Sequence, residues 1–239
     1  LGDVYKRQHG RCLPKAGAKS TKWKQVNAML SVHGRKPAAV VVEPVAKGLL
    51  KIGLTPNVTT VAGTVLTMLT AMVLIPTGHL VWAAVLSLLF AAFDMVDGTM
   101  ARLRGGGTAF GATLDASCDR LTDGALFGAI AMWLIYVADA APVNVAVCLA
   151  VIVLSQTISY IKARGEAGGL KIVGGLIERP ERLILGLGGI ALEGFGVPNA
   201  VVVSLWILLI GSVITVVQRL MFAGRDRGAD AKIAPPAGA

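Results

Sequence analysis

The sequence predicts an all-α integral membrane protein with six transmembrane helices preceded by an interfacial amphipathic helix. Its 239 residues are 54% hydrophobic and 15% charged, whereas a soluble domain carries about 25% charged residues. Apolar runs repeatedly approach the roughly 20 residues that cross a bilayer. The net charge of +9 fits basic residues that collect on one side of a membrane, so it does not call for a nucleic-acid partner.

The chain begins with a predicted tail at residues 1–37. Residues 1–28 are basic, polar and aperiodic, without the apolar core of a signal peptide, and we interpret them as disordered or non-native, with Met29 as the start. The membrane domain is predicted at 38–222 and a cytoplasmic tail at 223–239. At 38–54, apolar residues recur at helical spacing opposite Lys47 and Lys51, which predicts an amphipathic helix in the membrane interface.

The six predicted spans follow the amphipathic helix. In chain order they cover residues 58–75, 81–100, 112–138, 143–161, 183–192 and 197–222. Thr55 followed by proline is a helix-start signal before the first span, and Pro142 precedes the fourth. The fifth span is short, and its Gly186, Gly188 and Gly189 indicate close packing against neighbouring helices.

Basic residues are distributed unevenly among the connections. The connections after spans one, three and five contain no lysine or arginine. Lysines and arginines collect in the other connections and in the flanking segments. The positive-inside rule therefore predicts that both termini lie in the cytoplasm, together with the connection between spans two and three.

Four aspartates flank that connection, namely Asp94, Asp97, Asp115 and Asp119. Within each pair the spacing is three or four residues, so each pair shares one face of a helix. Carboxylates at the ends of apolar segments are costly unless they are neutralised, and hard cations such as Mg²⁺ take oxygen ligands. We predict one or two Mg²⁺ or Mn²⁺ ions here, in a site for metal-assisted phosphoryl or phosphatidyl transfer.

The same stretch resembles the signature of the CDP-alcohol phosphotransferase family. Every fixed position and spacing of that signature is met, by Asp94, Asp97, Gly98, Ala101, Arg102, Gly111, Asp115 and Asp119. The resemblance extends from about Glu43 to Leu220. It implies transfer of a phosphatidyl-type group from a CDP-linked lipid to an alcohol, with release of CMP, and it implies a homodimer.

The resemblance also implies roles for individual residues. Asp94, Asp97 and Asp115 would bind metal, while Asp119 would bind metal and act as the general base. The pocket for the CDP-lipid would be lined by Asn57, Thr60, Gly98, Ala101, Arg102 and Gly111.

The acceptor alcohol is indicated by segments 159–169 and 177–183, which resemble those of actinobacterial family members that use inositol phosphate. The hypothesis is that Lys162, Arg182 and Arg219 bind the phosphate of inositol phosphate. Asp119 would take a proton from an inositol hydroxyl, which then attacks the β-phosphorus of CDP-diacylglycerol.

Alternatives remain open at this point. Glycerol 3-phosphate is a second acceptor that carries a phosphate, and a cation-coupled transporter is a less favoured alternative because the aspartates cluster at one face. Arg164 and Arg179 belong to the same set of basic residues that could reach the acceptor, and for both the alternative is a membrane anchor that reaches the headgroups, which we favour for Arg179. We expect Glu178 and Glu181 to pair locally with Arg182, and Asp123 to be a polar packing group.

Overall fold

The computed structural model describes residues 42–232, which contain helices and no β-strand. The described part of α1 covers residues 42–51. The remaining helices are α2 (Pro56–Leu74), α3 (Leu80–Ala91), α4 (Phe93–Leu103), α5 (Ala109–Tyr136), α6 (Pro142–Ala167), α7 (Arg179–Gly194) and α8 (Ala200–Arg225). The predicted tail at 1–37, the beginning of the predicted amphipathic helix and residues 233–239 lie outside the described part.

Local signals account for where several helices begin. Thr55 precedes α2, and its hydroxyl accepts a hydrogen bond from the Val58 amide at 3.4 Å, with Pro56 in the first turn. Thr108 has the same role at α5, where it accepts from the Gly111 amide at 3.0 Å. The predicted helix start at Thr55 is confirmed, and α5 begins three residues before the predicted span.

The second predicted span consists of two helices, α3 and α4. The α-helix is interrupted at Ala92, whose amide faces the carbonyls of Leu88, Leu89 and Phe90. The sequence did not predict this interruption, because no proline or glycine marks it. Asp94 and Asp97 consequently lie on a short separate helix that packs against α2.

Six helices pack in a closed order, in which each contacts the next: α2, α5, α6, α8, α7, α3 and again α2. All six contribute to one apolar core. Its largest fully buried side chains include Ile75, Phe127, Ile130, Leu134, Ile190, Leu205 and Leu208. This core holds the ends of α4, α5, α6, α7 and α8 in fixed relation, and these ends carry the predicted site residues.

Within residues 42–232, four segments are long and apolar enough to cross a membrane: Pro56–Leu74, Leu80–Leu103, Pro142–Ala167 and Ala200–Arg225. Large apolar side chains on their outer faces are exposed, such as Leu69, Val153 and Ile210, as expected for contact with lipid. The protein is therefore a membrane protein. The count of six spans stays a prediction, because α5 carries several charged residues and α7 has only 16 residues.

The glycines of α7 provide a test of helix packing. A Cβ atom at Gly189 would lie 2.8 Å from the Cβ atom of Ser204 on α8, whereas no atom lies within 4 Å at Gly188. We expect Gly189→Leu to lower the free energy of unfolding by about 2 kcal/mol, because the new side chain forces α7 and α8 apart. Gly188→Leu is the matched control, and thermal unfolding in detergent is the measurement. Equal midpoints for the two variants would contradict this packing.

Gly186 also packs closely, since a Cβ atom there would lie 3.4 Å from the ring of Phe127. The sequence-based prediction of close packing therefore agrees with the structure for Gly186 and Gly189. It is wrong for Gly188, because the helical rotation turns that position outward.

Candidate active site

The four signature aspartates lie in the first half of α4 and in the first half of α5. Residues 104–108 connect the two helices and bring Asp94 and Asp97 beside Asp115 and Asp119. Carboxylate oxygens of Asp94, Asp97 and Asp115 all lie within 4.8 Å of one another. Three hard oxygen donors at this separation can hold a divalent cation. The structure thus brings together three of the four predicted metal ligands.

Asp97 is the most buried of these three carboxylates, with 6% of its surface exposed. The hydroxyl of Thr60, on α2, donates a hydrogen bond to Asp97 Oδ2. This contact satisfies one buried carboxylate oxygen and orients the side chain. Thr60, predicted to lie near the nucleotide, therefore also supports a candidate metal ligand.

A cavity of about 780 Å³, which we call the Asp97 cavity, opens between α2, α4 and α5. Its lining includes Asn57, Thr60, Gly98, Ala101 and Gly111, five of the six residues predicted for the CDP-lipid. Arg102, the sixth, lies outside the lining and donates to the hydroxyl of Thr99 at 2.7 Å. Arg104 contributes the basic side chain instead, because the turn after α4 directs it toward the cavity.

Different features of the structure explain why glycine occupies the two signature positions, 98 and 111. A Cβ atom at Gly111 would lie 3.2 Å from Asn57 Oδ1 and 3.1 Å from Thr108 Oγ1, so α5 approaches α2 closely there. At Gly98 the nearest neighbour of such an atom is the Arg102 guanidinium at 3.8 Å. Gly111 therefore permits helix packing, whereas Gly98 keeps space open beside Asp97.

Asp119 is held by an arginine from α7. Arg179 Nη2 lies 2.7 Å from Asp119 Oδ1, and Arg179 Nη1 lies 2.7 Å from Asp94 Oδ2. Nη1 donates a charge-assisted hydrogen bond to Asp94 and Nη2 forms an ion pair with Asp119, so a single guanidinium joins one aspartate of each pair. The interpretation of Arg179 as a headgroup anchor is wrong. Arg179 and Asp94 are 85 positions apart, and no local pattern in the sequence indicates that they meet.

A second cavity of about 850 Å³, which we call the Asp119 cavity, lies between α5, α6, α7 and α8. Five basic residues line it: Arg120, Lys162, Arg179, Arg182 and Arg219. The three basic residues predicted for the acceptor phosphate are therefore brought to one cavity, and Arg120 and Arg179 join them. Their charge suits an anionic ligand.

Arg182 is engaged inside the protein. Its side chain is 1% exposed, and its Nη2 atom lies 2.9 Å from Oδ2 of Asp123, which is fully buried. The expected pairing of Glu178 and Glu181 with Arg182 is wrong, because α7 turns Arg182 inward toward α5. The expectation that Asp123 is a polar packing group agrees with this contact. Neutralisation by Asp123 leaves Lys162 and Arg219 as the other two members of the predicted phosphate-binding set.

Comparison with known families and proteins gives consistent matches. A model of the CDP-alcohol phosphatidyltransferase family matches residues 53–222. A Corynebacterium glutamicum protein named phosphatidylinositol phosphate synthase is 61% identical over 211 residues, covering 88% of this chain and 96% of that protein. The protein of the same name from Mycobacterium tuberculosis H37Rv is 47% identical over 207 residues, covering 84% and 94%.

Solved structures of the Mycobacterium tuberculosis phosphatidylinositol phosphate synthase are also similar. The crystal structure with CDP-DAG bound has a TM-score of 0.79 and 47% identity, and the match covers 82% of this chain and 100% of that one. The complex with manganese and citrate has a TM-score of 0.77 at the same identity, covering 81% and 93%. From the signature, the helical fold and these matches, we conclude that this chain belongs to the CDP-alcohol phosphatidyltransferase family.

Proposed function

We propose that this protein transfers the phosphatidyl group of CDP-diacylglycerol to inositol phosphate and releases CMP. One observation carries the proposal: two cavities, each with charged and polar residues in its lining, lie on either side of the aspartates. The Asp97 cavity is lined by signature residues, the Asp119 cavity is lined by basic residues, and both include Ala112 of α5. Substrates bound in the two cavities would therefore meet at the aspartates. Relatives named phosphatidylinositol phosphate synthase support this acceptor.

An apolar groove beside the Asp97 cavity supports a lipid-linked donor. The groove has a volume of about 720 Å³, and its lining includes Val61, Val65 and Phe110 from α2 and α5. Asn57 lines both the groove and the Asp97 cavity. A donor with its cytidine and diphosphate in the Asp97 cavity would therefore direct an acyl chain along apolar side chains.

The donor set of the aspartates fits a divalent cation, which we propose to be Mg²⁺ with Mn²⁺ as a substitute. Asp94, Asp97 and Asp115 would hold the first ion, and Asp119 would complete a site for a second. A bound divalent cation supplies positive charge to the phosphate oxygens of the reacting group. Asp97 is buried and fixed by Thr60, so we expect it to contribute most to metal affinity.

Asp119 is the best-placed general base, because it lines the acceptor cavity. Arg179 Nη2 lies 2.7 Å from its Oδ1 atom, while Arg120 Nη2 lies 3.9 Å from Oδ2, beyond hydrogen-bonding distance. Oδ2 would therefore accept the proton of the inositol hydroxyl. The hydroxyl oxygen then forms a bond to the β-phosphorus of CDP-diacylglycerol, and the bond from that phosphorus to the CMP oxygen breaks. Lys162 and Arg219 would hold the acceptor phosphate during this step.

We also propose an arrangement in the cell membrane. The distribution of lysine and arginine supports six spans, in which α5 and α7 join the four apolar segments. Both termini and the two cavities would face the cytoplasm, and α1 would lie in the membrane interface. The family resemblance leads us to propose a homodimer.

A direct acceptor assay tests the function. Purified protein would receive CDP-diacylglycerol and Mg²⁺ with inositol phosphate, glycerol 3-phosphate or unphosphorylated inositol, and CMP would be quantified. We expect release of CMP with inositol phosphate. Release of CMP with glycerol 3-phosphate alone would still support the proposed chemistry at the aspartates, but the acceptor would then be glycerol 3-phosphate and not inositol phosphate.

Lys162 provides a prediction specific to the acceptor. We expect Lys162→Gln to raise the KM for inositol phosphate about tenfold, because a charge-assisted contact to phosphate is lost. The KM for CDP-diacylglycerol should stay near the wild-type value. Arg164→Gln is the matched control, since Arg164 lies two residues along α6 and outside the cavity lining. Equal effects of the two changes on the acceptor KM would show that Lys162 acts only through general surface charge.

A further inference from the structure

Arg219 of α8 is almost fully buried, with 4% of its surface exposed, and all three of its guanidinium nitrogens have partners. Its Nε atom donates to the carbonyl of Gly174 at 3.2 Å, and Nη1 donates to the carbonyl of Ile158 at 2.6 Å. Its Nη2 atom lies 3.1 Å from Oε1 of Glu178. Each guanidinium nitrogen of Arg219 therefore already has a partner, and a phosphate that binds Nη2 must share this nitrogen with Glu178 or replace Glu178.

The two carbonyl partners are held by the fold. Ile158 belongs to α6, and Gly174 belongs to the connection between α6 and α7. That connection is fastened to α8, because the amides of Leu176 and Ile177 donate to the side chains of Gln218 and Thr215 at 3.1 and 2.8 Å. Displacing either carbonyl would require movement of the backbone.

The third partner, Glu178, is different. Its backbone amide is fixed by a hydrogen bond to the Glu181 carboxylate at 3.0 Å, but its side chain is 43% exposed. The carboxylate lies at the end of two methylene groups, and rotation about their bonds can turn it into solvent. Glu178 also lines the Asp119 cavity. Glu178 is also the N-cap of α7, and its side chain forms a capping box with Glu181. Of the three partners of Arg219, its carboxylate is still the one that can leave by rotation of a side chain, without movement of the backbone.

We propose that the Glu178 carboxylate is an internal competitor for the acceptor's phosphate at Arg219. It occupies the position on Nη2 that a phosphate oxygen would take, and it neutralises Arg219 when no anion is bound. This inference rests on the proposed function, since it assumes that the phosphate of the acceptor enters the Asp119 cavity. Competition by Glu178 lowers the affinity for the acceptor below the value that the basic lining of the cavity would otherwise give. Glu178 returns to Arg219 when the phosphate-bearing product leaves.

Calorimetric titration of the purified full chain with inositol phosphate tests this competition. We expect Glu178→Gln to bind inositol phosphate about tenfold more tightly than wild type, because a neutral amide competes for Arg219 Nη2 less strongly than a carboxylate does. Inorganic phosphate should gain affinity in the same variant, and unphosphorylated inositol should not. Glu178→Asp keeps the charge but shortens the side chain, so it should also bind inositol phosphate more tightly, by a smaller factor.

Glu166→Gln is the matched control. Glu166 lines the same cavity but is not among the partners of Arg219. Its replacement removes the same charge, and we expect less than about a twofold gain, because a more distant exposed charge is screened. Equal gains in Glu178→Gln and Glu166→Gln would overturn the proposal in favour of a general charge effect.

Weaker binding in both Glu178 variants would also overturn the proposal, since Glu178 would then position Arg219 for the phosphate. Failure of the proposed function gives a different result, in which wild-type protein does not bind inositol phosphate. In that case, titration of the same variants with glycerol 3-phosphate tests whether Glu178 competes with the phosphate of that acceptor.

Discussion

Replacing Asp119 by asparagine is expected to reduce CMP release about a thousandfold, because an amide cannot accept the proton of the attacking hydroxyl. The change is small in volume, and the amide oxygen can still contact Arg179 Nη2, which lies 2.7 Å from Oδ1 of Asp119. The KM values for both substrates should therefore change little. The measurement is initial-rate CMP release with CDP-diacylglycerol and inositol phosphate at saturating Mg²⁺.

Asp139→Asn is the control for this experiment. Asp139 is exposed and lies beyond the end of α5 opposite the aspartate site, so the same chemical change there should leave the rate at the wild-type value. Unfolding midpoints would be compared for both variants. If Asp119→Asn retained more than about a tenth of the wild-type rate, Asp119 could not be the general base.

Replacing Asp97 by asparagine is expected to weaken Mn²⁺ binding and to lower CMP release, each by about a hundredfold. Asp97 is the buried carboxylate among the three that approach within 4.8 Å. Its replacement removes a negative charge where solvent cannot substitute for it, while the amide oxygen keeps the contact with Thr60. Calorimetric titration with Mn²⁺ measures the loss of affinity independently of activity.

The dependence of activity on Mn²⁺ concentration distinguishes the role of Asp97 from that of Asp119. High Mn²⁺ concentration should restore part of the activity of Asp97→Asn, because mass action compensates a weakened site. It should restore at most the part of the Asp119→Asn defect that comes from weaker binding of the second ion, because the loss of proton transfer remains. Recovery of the wild-type rate by Asp119→Asn at high Mn²⁺, or unchanged Mn²⁺ affinity in Asp97→Asn, would contradict these assignments.

The location of the site could be predicted because its signal is local. Asp94 and Asp97 are one helical turn apart, as are Asp115 and Asp119, and a short connection brings the two helices together. The same reasoning explains why the helix start at Thr55 was predicted correctly. Such features depend on neighbours within a few positions, so they do not require knowledge of the packing.

Two of the errors concern α7 and its partners. Arg179 was interpreted as a membrane anchor, and Arg182 was expected to pair with nearby glutamates. Both arginines instead contact aspartates of α4 and α5. The rotation of α7 about its axis decides which of its side chains face the site, and that rotation follows from the packing of α7 between α3 and α8.

The sequence alone determined the membrane class, the order of most helices, the family signature and the position of four carboxylates at one end of the bundle. Each of these depends on composition or on residues close in the chain. The tertiary structure decided that Arg179 joins Asp94 to Asp119, that Asp123 neutralises Arg182, and that Glu178 occupies Arg219. These contacts join helices distant in the chain, and their geometry is set by how the apolar faces of those helices fit together in one core.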